Sequence, residues 1–278
     1  ADLTRSAGRL TARWHGHDAN VLHFNGLGRH KYPEWRGLYG GVAQPLAGAG
    51  SGDGYGQFLD ALRAWLGEQG QEALRWSFYG TANAASASVH DPATFPLLAL
   101  LHYLVRSNGC VRVLETGTAR GISAACLASA VAHRAGGRVV SFDPFDQPGR
   151  CELWDMLPPA MSACLEQRPL DSVAGMAAAL DDGERYDAAL LDSLHEAEHV
   201  WNEFELATKL VCPGGLILIH DVCLATGSVD RAVARIEAAG YGVARLWAAE
   251  CGEPEGDRLG LAVIENRRRS RSNCERFA

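Results

Sequence analysis

The chain has 278 residues, 47% of them apolar and 21% charged, with a formal net charge of −7. That length and make-up suit one large globular domain, or one domain with an appendage, and the negative balance speaks against nucleic-acid partners. No apolar run reaches the ~18 residues of a membrane span and no signal peptide opens the chain, so a cytoplasmic protein with no membrane partner is expected.

Residues 1 to about 50 are polar and carry Trp14, His15, His17, Arg29, His30 and Trp35. Within them, VLHFNGLGRHKYPEW (residues 21–35) is similar to the closing segment of retaining glycosyltransferases of the glycogenin and galactosyltransferase type. That resemblance implies His23 as a manganese ligand and Lys31 as a contact to a nucleotide diphosphate, with Gly26 matching the family's glycine. It also points to a carbohydrate-containing acceptor. The rest of such a domain, including its D-x-D metal motif, has no room before residue 1, and a metal ion needs several ligands held together. The arm is therefore expected to be a remnant, a boundary fragment or a docked extension.

Ala43 to Gly56 is rich in Gly, Ala and Ser and is expected to be a linker. Phe58, Leu59, Leu62, Trp65 and Leu66 then recur at helical spacing, which predicts an amphipathic helix from Gln57 to about Glu68. It would cover a sheet or pair with a second copy, and a homodimer is expected on that ground. Tyr79 to Asp91 is small and polar, hence a loop. Pro96 to Arg106 is apolar nearly all round, hence a buried helix.

Val111 to Gly121, VRVLETGTARG, is the stretch on which the rest is organised. Val111 to Leu114 predicts a buried strand. Glu115 follows, then Gly117 and Gly121, then an apolar helix from Ile122 to about His133. A strand turning through glycines into a helix exposes backbone N–H groups at the helix N-terminus. Gly117 permits a tight turn or a close approach of backbone to ligand, and Gly121 lets the helix begin close against its strand. The next strand, Arg138 to Phe142, ends in Asp143, where a doubly wound sheet places an acid on a ribose. A dinucleotide fingerprint has glycine where Glu115 stands. A carboxylate there repels a pyrophosphate and attracts a cation, which disfavours an NAD oxidoreductase.

The wording LETGTARGIS resembles the first motif of class I S-adenosylmethionine-dependent methyltransferases, in their small-molecule O-methyltransferase branch. The resemblance implies an α/β fold with a doubly wound, mostly parallel seven-stranded sheet, over about residues 51–266. It implies S-adenosylmethionine as cofactor, held by Glu115, Gly117, Thr118, Gly121, Ser123 and Asp143. In this family a short third strand ending in an acid touches the adenine, which would be Asp171 and Ser172. A second account makes one of them simply the N-cap of a helix from Val173 to Leu180.

Between Asp143 and Leu170 the sequence predicts a turn and a helix from Glu152 to about Gln167, interrupted at Pro158 and Pro159. Tyr186 to Asp192 is a fourth strand, apolar on both faces as in a buried parallel sheet. A helix follows from about Glu198 to Leu210, then a turn at Pro213 to Gly215, a fifth strand from Leu216 to Ile219 closing on His220 and Asp221, and a helix from Val229 to Ala239. Two late strands, Val243 to Trp247 and Leu259 to Ile264, end the domain. Residues 267–278 are basic and polar and are expected to be disordered. The eight cysteines (Cys110, Cys126, Cys151, Cys164, Cys212, Cys223, Cys251 and Cys274) form no C-x-x-C pair. Buried free thiols are expected, not a zinc site.

Glu115, Asp143, Asp171, Asp192 and Asp221 each close a proposed segment at the carboxyl edge, where ligands bind in open α/β sheets. So many carboxylates on one rim call for cations. The spacing LLDSLH…LILIHDV is similar to that of the metal-dependent, catechol-type O-methyltransferases. The resemblance implies Asp192, His220 and Asp221 as ligands of magnesium or another divalent metal, Asp192 also on the cofactor side, and His195 as the base for an acceptor hydroxyl. His220 in a carboxylate position departs from the family and suits manganese, iron or zinc better. Either histidine has an alternative role holding backbone in the core. The expected function is O-methylation of a small-molecule acceptor; the competing one is a non-catalytic methyltransferase-like binding module of a larger glycan-assembly protein.

Overall fold

The computed structural model describes residues 2–6, 9–14, 17–19, 54–69, 96–147, 149–222, 227–247 and 260–268. The segment with His23, Gly26 and Lys31, the linker as far as residue 53, the loop 79–91 and the tail from residue 269 lie outside them. The chain divides into two compact units, Ala1–Gln44 and Pro45–Ala278. In the first, β1 (Asp2–Ser6), β2 (Arg9–Trp14) and β3 (His17–Ala19) form an antiparallel sheet in the order β1-β2-β3. The sequence reading assigned no strands there, because the segments are short and polar.

The second unit carries α1 (Gly54–Gln69), α2 (Pro96–Ser107), β4 (Arg112–Thr116), α3 (Ile122–Val131), β5 (Arg138–Phe142), α4 (Arg150–Met156), α5 (Pro159–Ser162) and β6 (Leu165–Arg168). It continues with α6 (Ser172–Asp181), β7 (Tyr186–Leu191), α7 (Ala197–Leu210), β8 (Val211–Ile219), α8 (Val229–Ala238), β9 (Tyr241–Trp247) and β10 (Gly260–Arg268). Seven strands pair in the order β6-β5-β4-β7-β8-β10-β9. The run β6 to β8 is parallel, and β10 enters antiparallel between β8 and β9. This is the expected doubly wound α/β sheet. Among the described residues no helix is long and apolar enough to cross a membrane.

Two apolar layers sandwich the sheet, and strand parity assigns residues to them. Val113, Val139, Ala188, Leu190 and Leu218 face the layer built by α1, α2 and α3. Their neighbours Leu114, Val140, Ala189, Leu191, Ile217 and Ile219 face the layer with Phe204, Ala207, Val233 and Ile236. All ten residues of α3 are buried, as an all-round apolar helix requires; its many alanines and serines let it lie close to both α2 and the strands.

Several boundaries differ from expectation. The helix predicted over residues 152–167 is two short helices followed by β6, so Leu165–Arg168 is strand. The third strand thus ends before Leu170, not at Asp171. Pro213–Gly215 lies within β8, beside a register irregularity between Tyr186 and Ala188, and β10 runs on through residues 267–268, which had been assigned to the tail. Among the described cysteines, Cys110, Cys126 and Cys164 are buried free thiols as expected, Cys212 is partly buried, and Cys151 is exposed. Burial pushes the thiol of Cys110 up to about 11, which leaves it unreactive at neutral pH.

Candidate active site

Parallel register fixes the first part of the site. Glu115 pairs with Ser141 across β4 and β5, and parity puts Glu115 on the same face as Val113, beneath α3. The carboxyl group is fully buried. Its Oε2 accepts a hydrogen bond from the Ser141 hydroxyl at 2.5 Å, while Oε1 has no hydrogen-bond partner among the described residues. Burial pushes its pKa up to about 8, against the pull of the Ser123 and Ser141 hydroxyls and helped by the nearby charges of Asp192 and Asp143. Glu115 is therefore protonated at neutral pH without a ligand. The picture of an ionised carboxylate on an open rim is corrected: the acid is an interior one with one open oxygen.

The glycines also act differently from expectation. Gly117 has φ +80°, and a Cβ on it would lie 2.0 Å from the Asp192 carbonyl oxygen. What approaches Gly117 closely is the end of β7. Gly121, at φ +75°, is packed against Trp154 of α4, whose Nε1 would sit 2.4 Å from an added Cβ; the expected contact was with the strand. Gly117→Ala is expected to destabilise the fold by at least about 2 kcal/mol, since it adds left-handed strain to a clash with backbone that cannot swing aside. A fall in the urea midpoint at unchanged slope would show it.

Thr118 is buried and its Oγ1 lies 2.7 Å from the Ser141 hydroxyl. Ser123 is buried in the first turn of α3. Asp143 closes β5 and accepts from the Ala119 N–H through Oδ2 at 2.8 Å and from the Phe145 N–H through Oδ1 at 2.9 Å. Each carboxylate oxygen accepts two hydrogen bonds, so among the described residues one acceptor position remains on each. Asp171 is an N-cap: its Oδ1 accepts from the Ala174 N–H at 3.1 Å. Ser172 is buried, with its Oγ 3.0 Å from His199 Nε2 and 3.5 Å from Ser193 Oγ. The Ser193 hydroxyl donates to Glu203 Oε1 at 2.7 Å, and Glu203 also holds His199 toward its charged form. This network pins the loop just after Asp192.

The second part of the site joins the ends of β7 and β8. Asp192, His195 and Asp221 offer ligand atoms that all lie within 4.8 Å of one another. His195 Nε2 is 2.8 Å from Asp221 Oδ2 and 3.9 Å from Asp192 Oδ1. His220 is buried, its Nδ1 3.0 Å from Asp192 Oδ1 and 3.4 Å from Asp221 Oδ1. This grouping differs from the expected Asp192, His220 and Asp221 in one member. His195 converges with the two carboxylates, and His220 is the hydrogen-bond partner of Asp192. Asp221 has φ +55°, a backbone strain that sites with specific tasks tend to hold.

Electrostatics couple the four groups. The carboxylates of Asp192 and Asp221 raise the His195 pKa to about 9, against burial. Burial opposes charge on His220, but Asp192 and Asp221 overcome it and hold the ring well above the usual imidazole range. Burial likewise opposes ionisation of Asp192 and Asp221, and the histidines outweigh it, so both carboxyls stay below their ordinary values. A pKa of about 9 favours the imidazolium form of His195 at pH 7.

Sequence reasoning missed Ser141, Arg150, Trp154, His199 and Glu203. Only Ser141 left a signal: a hydroxyl two residues before Asp143, in register with Glu115.

Residues 114–222, which hold every site residue described above, match the model of a family described as "Methyltransferase domain". This stretch is a methyltransferase domain. No curated protein matches the chain. Among solved structures, the chain resembles the O-methyltransferase from Bacillus cereus in complex with SAH at 20% identity and a TM-score of 0.53, covering 76% of this chain and 90% of that one. It resembles the O-methyltransferase TomG from Streptomyces achromogenes, involved in tomaymycin synthesis and solved in complex with SAM, at 21% identity and a TM-score of 0.50, covering 62% and 80%. At these identities the likeness is one of fold: the sheet is that of the class I methyltransferases. The methyltransferase match does not extend to the arm, and nothing in these comparisons supports a glycosyltransferase segment there.

Proposed function

We propose that the methyltransferase domain binds S-adenosylmethionine at the ends of β4 and β5 and methylates a hydroxyl of a small molecule presented at the ends of β7 and β8. The observation that carries this is the open, buried Oε1 of Glu115. An unsatisfied interior acceptor is costly, and an ammonium group is the ligand chemistry that would complete it and favour its ionised form, the proton leaving to solvent. Bound there, S-adenosylmethionine would supply a methyl group activated on a sulfonium.

The chain's own residues do the remaining work. Glu115 would hold the ammonium, and Asp143 would take ribose hydroxyls on its two remaining acceptor positions. The three exposed large apolar side chains among the described residues, Phe145, Leu170 and Leu194, all follow strand ends on this edge and offer apolar cover for a ring. Asp171 and Ser172 border the same edge. His195 would accept the acceptor's proton once neutral, with Asp221 orienting its ring and His220 fixing Asp192. Transfer then depends on holding the oxyanion in line with the methyl.

A second reading is metal assistance, favoured by the convergence of Asp192, His195 and Asp221. Two carboxylates and an imidazole would hold a divalent cation, with zinc, iron or manganese suited better than magnesium, and it would acidify the acceptor hydroxyl. The resemblance of residues 21–35 supports a carbohydrate-containing acceptor; the apolar face of α1 is buried in the chain's own core and lends a homodimer no support.

Titration calorimetry with S-adenosylhomocysteine tests the donor site. Saturable one-to-one binding is expected; no heat at millimolar ligand would favour a non-catalytic module. In an active preparation, full activity after dialysis against a chelator would remove the metal reading and leave His195.

A further inference from the structure

The turn from Thr118 to Gly121 is gripped from outside by α4, and the packing of Trp154 on Gly121 is only part of that grip. Ala119 has φ +43°, in the left-handed region where a non-glycine residue is strained. Two charged side chains hold it there. Asp143 accepts from the Ala119 N–H at 2.8 Å, and Arg150 donates from Nε to the Ala119 carbonyl at 2.8 Å. The same two side chains hold Phe145, with Asp143 Oδ1 on its N–H at 2.9 Å and Arg150 Nη2 on its carbonyl at 2.7 Å. Carboxylate takes both N–H groups, and guanidinium gives to both carbonyls. Four residues later, one helical turn on, Trp154 donates from Nε1 to the Gly121 carbonyl at 3.0 Å.

Arg150 is 2% exposed, forms no ion pair among the described residues, and leaves Nη1 without a hydrogen-bond partner among them. Burying a guanidinium against two neutral carbonyls is an expensive way to stabilise a fold. Its fork geometry, however, suits holding two backbone carbonyls in fixed relation, which a lysine cannot do. We propose that Arg150, with Trp154 beside it, is a positioning residue of the donor site: it clasps the 118–121 turn to the loop after β5, so that Glu115, Asp143 and the first turn of α3 present one preorganised surface to S-adenosylmethionine. This rests on the donor reading given above.

Three measurements test it in the full chain: S-adenosylhomocysteine affinity, amide hydrogen exchange at Ala119 and Gly121, and a double-mutant cycle. Arg150→Lys is expected to weaken S-adenosylhomocysteine by about tenfold or more and to speed exchange at both amides, with the KM for acceptor unchanged. Glycine adopts the left-handed turn without strain, so in an Ala119→Gly background the loss caused by Arg150→Lys should shrink by at least half. Equal losses in both backgrounds, or affinity within twofold of the parent, would overturn the clasp. Should the lysine variant fail to fold, Trp154→Phe removes one donor at little change in volume. It is expected to weaken binding about threefold and speed exchange at Gly121; no change in either overturns the proposal. A parent protein that does not bind S-adenosylhomocysteine defeats the donor reading instead, and exchange then judges the clasp by itself: unaltered protection in Arg150→Lys sinks it.

Discussion

Glu115→Gln is expected to bind S-adenosylhomocysteine ~10- to 100-fold more weakly than the parent, the scale of one hydrogen bond to a charged group, and yet to be the more stable protein at alkaline pH. The two effects have one cause. Burial lifts the Glu115 pKa from its ordinary 4.5 to about 8. Between those values the folded chain keeps a proton that the unfolded chain has released. The unfolded state then binds fewer protons, so stability is fully present below pH 4.5, falls as pH rises through the window, and is flat above about 8. For a group this well buried the total is on the order of a few kcal/mol. Glutamine keeps the hydrogen-bonding shape and has nothing to titrate. His195 and His220, also raised, add slopes of the same sign to both proteins, so the difference between variant and parent isolates Glu115. Urea midpoints at pH 5 and pH 9 measure it. Parallel pH profiles for the two proteins would mean that Glu115 is ionised in the folded state. Unchanged affinity would mean that the open Oε1 has no part in binding the ligand's ammonium group.

The core of this fold was legible because its signals are local and periodic. Buried parallel strands such as Tyr186–Leu191 read as unbroken apolar runs, and α3 as an all-apolar helix following two glycines. Strand β6 was not legible. It lies at the sheet edge, where charged side chains are favoured, and Leu165-Glu166-Gln167-Arg168 has no apolar run to mark it. Glu166 and Arg168 are instead bound to each other at 2.7 Å and to Arg138 and Glu184 alongside. In the site, the residue types and the edge were legible, but the direction of each side chain was not. Whether the acid after Leu114 faces outward or lies under α3 depends on where β4 stops, and the strand runs two residues beyond the predicted Leu114, to Thr116. Which histidine lies beside both carboxylates as a further ligand-capable group was not legible either. His220 and Asp221 are adjacent, Asp221 Oδ2 lies 2.8 Å from His195 Nε2, and the left-handed φ of Asp221 is invisible in a sequence pattern.

The pH dependence of the reaction follows from that arrangement and gives the other large effect. With a pKa near 9, only about 1% of His195 is neutral at pH 7 in the absence of a ligand. Proton acceptance by the imidazole therefore makes kcat/KM rise about tenfold per pH unit to a plateau near pH 9, the limb reporting the free enzyme. His195→Gln is expected to lower kcat by ~10²- to 10⁴-fold and to abolish that limb. Asp221→Asn removes one of the two carboxylates that charge the ring, so its limb should move to lower pH while its plateau falls through lost orientation. The stability contribution has the matching sign: the proton held by His195 stabilises the fold fully below its ordinary 6.5, and that stability is lost as pH rises through about 9. A divalent cation between Asp192 and Asp221 would compete with the imidazolium for the same carboxylates, so added metal should shift the limb to lower pH if it binds there. A His195→Gln enzyme that keeps both its rate and its alkaline limb would place proton removal elsewhere, on the acceptor itself or on a cation-bound hydroxyl held by the two aspartates.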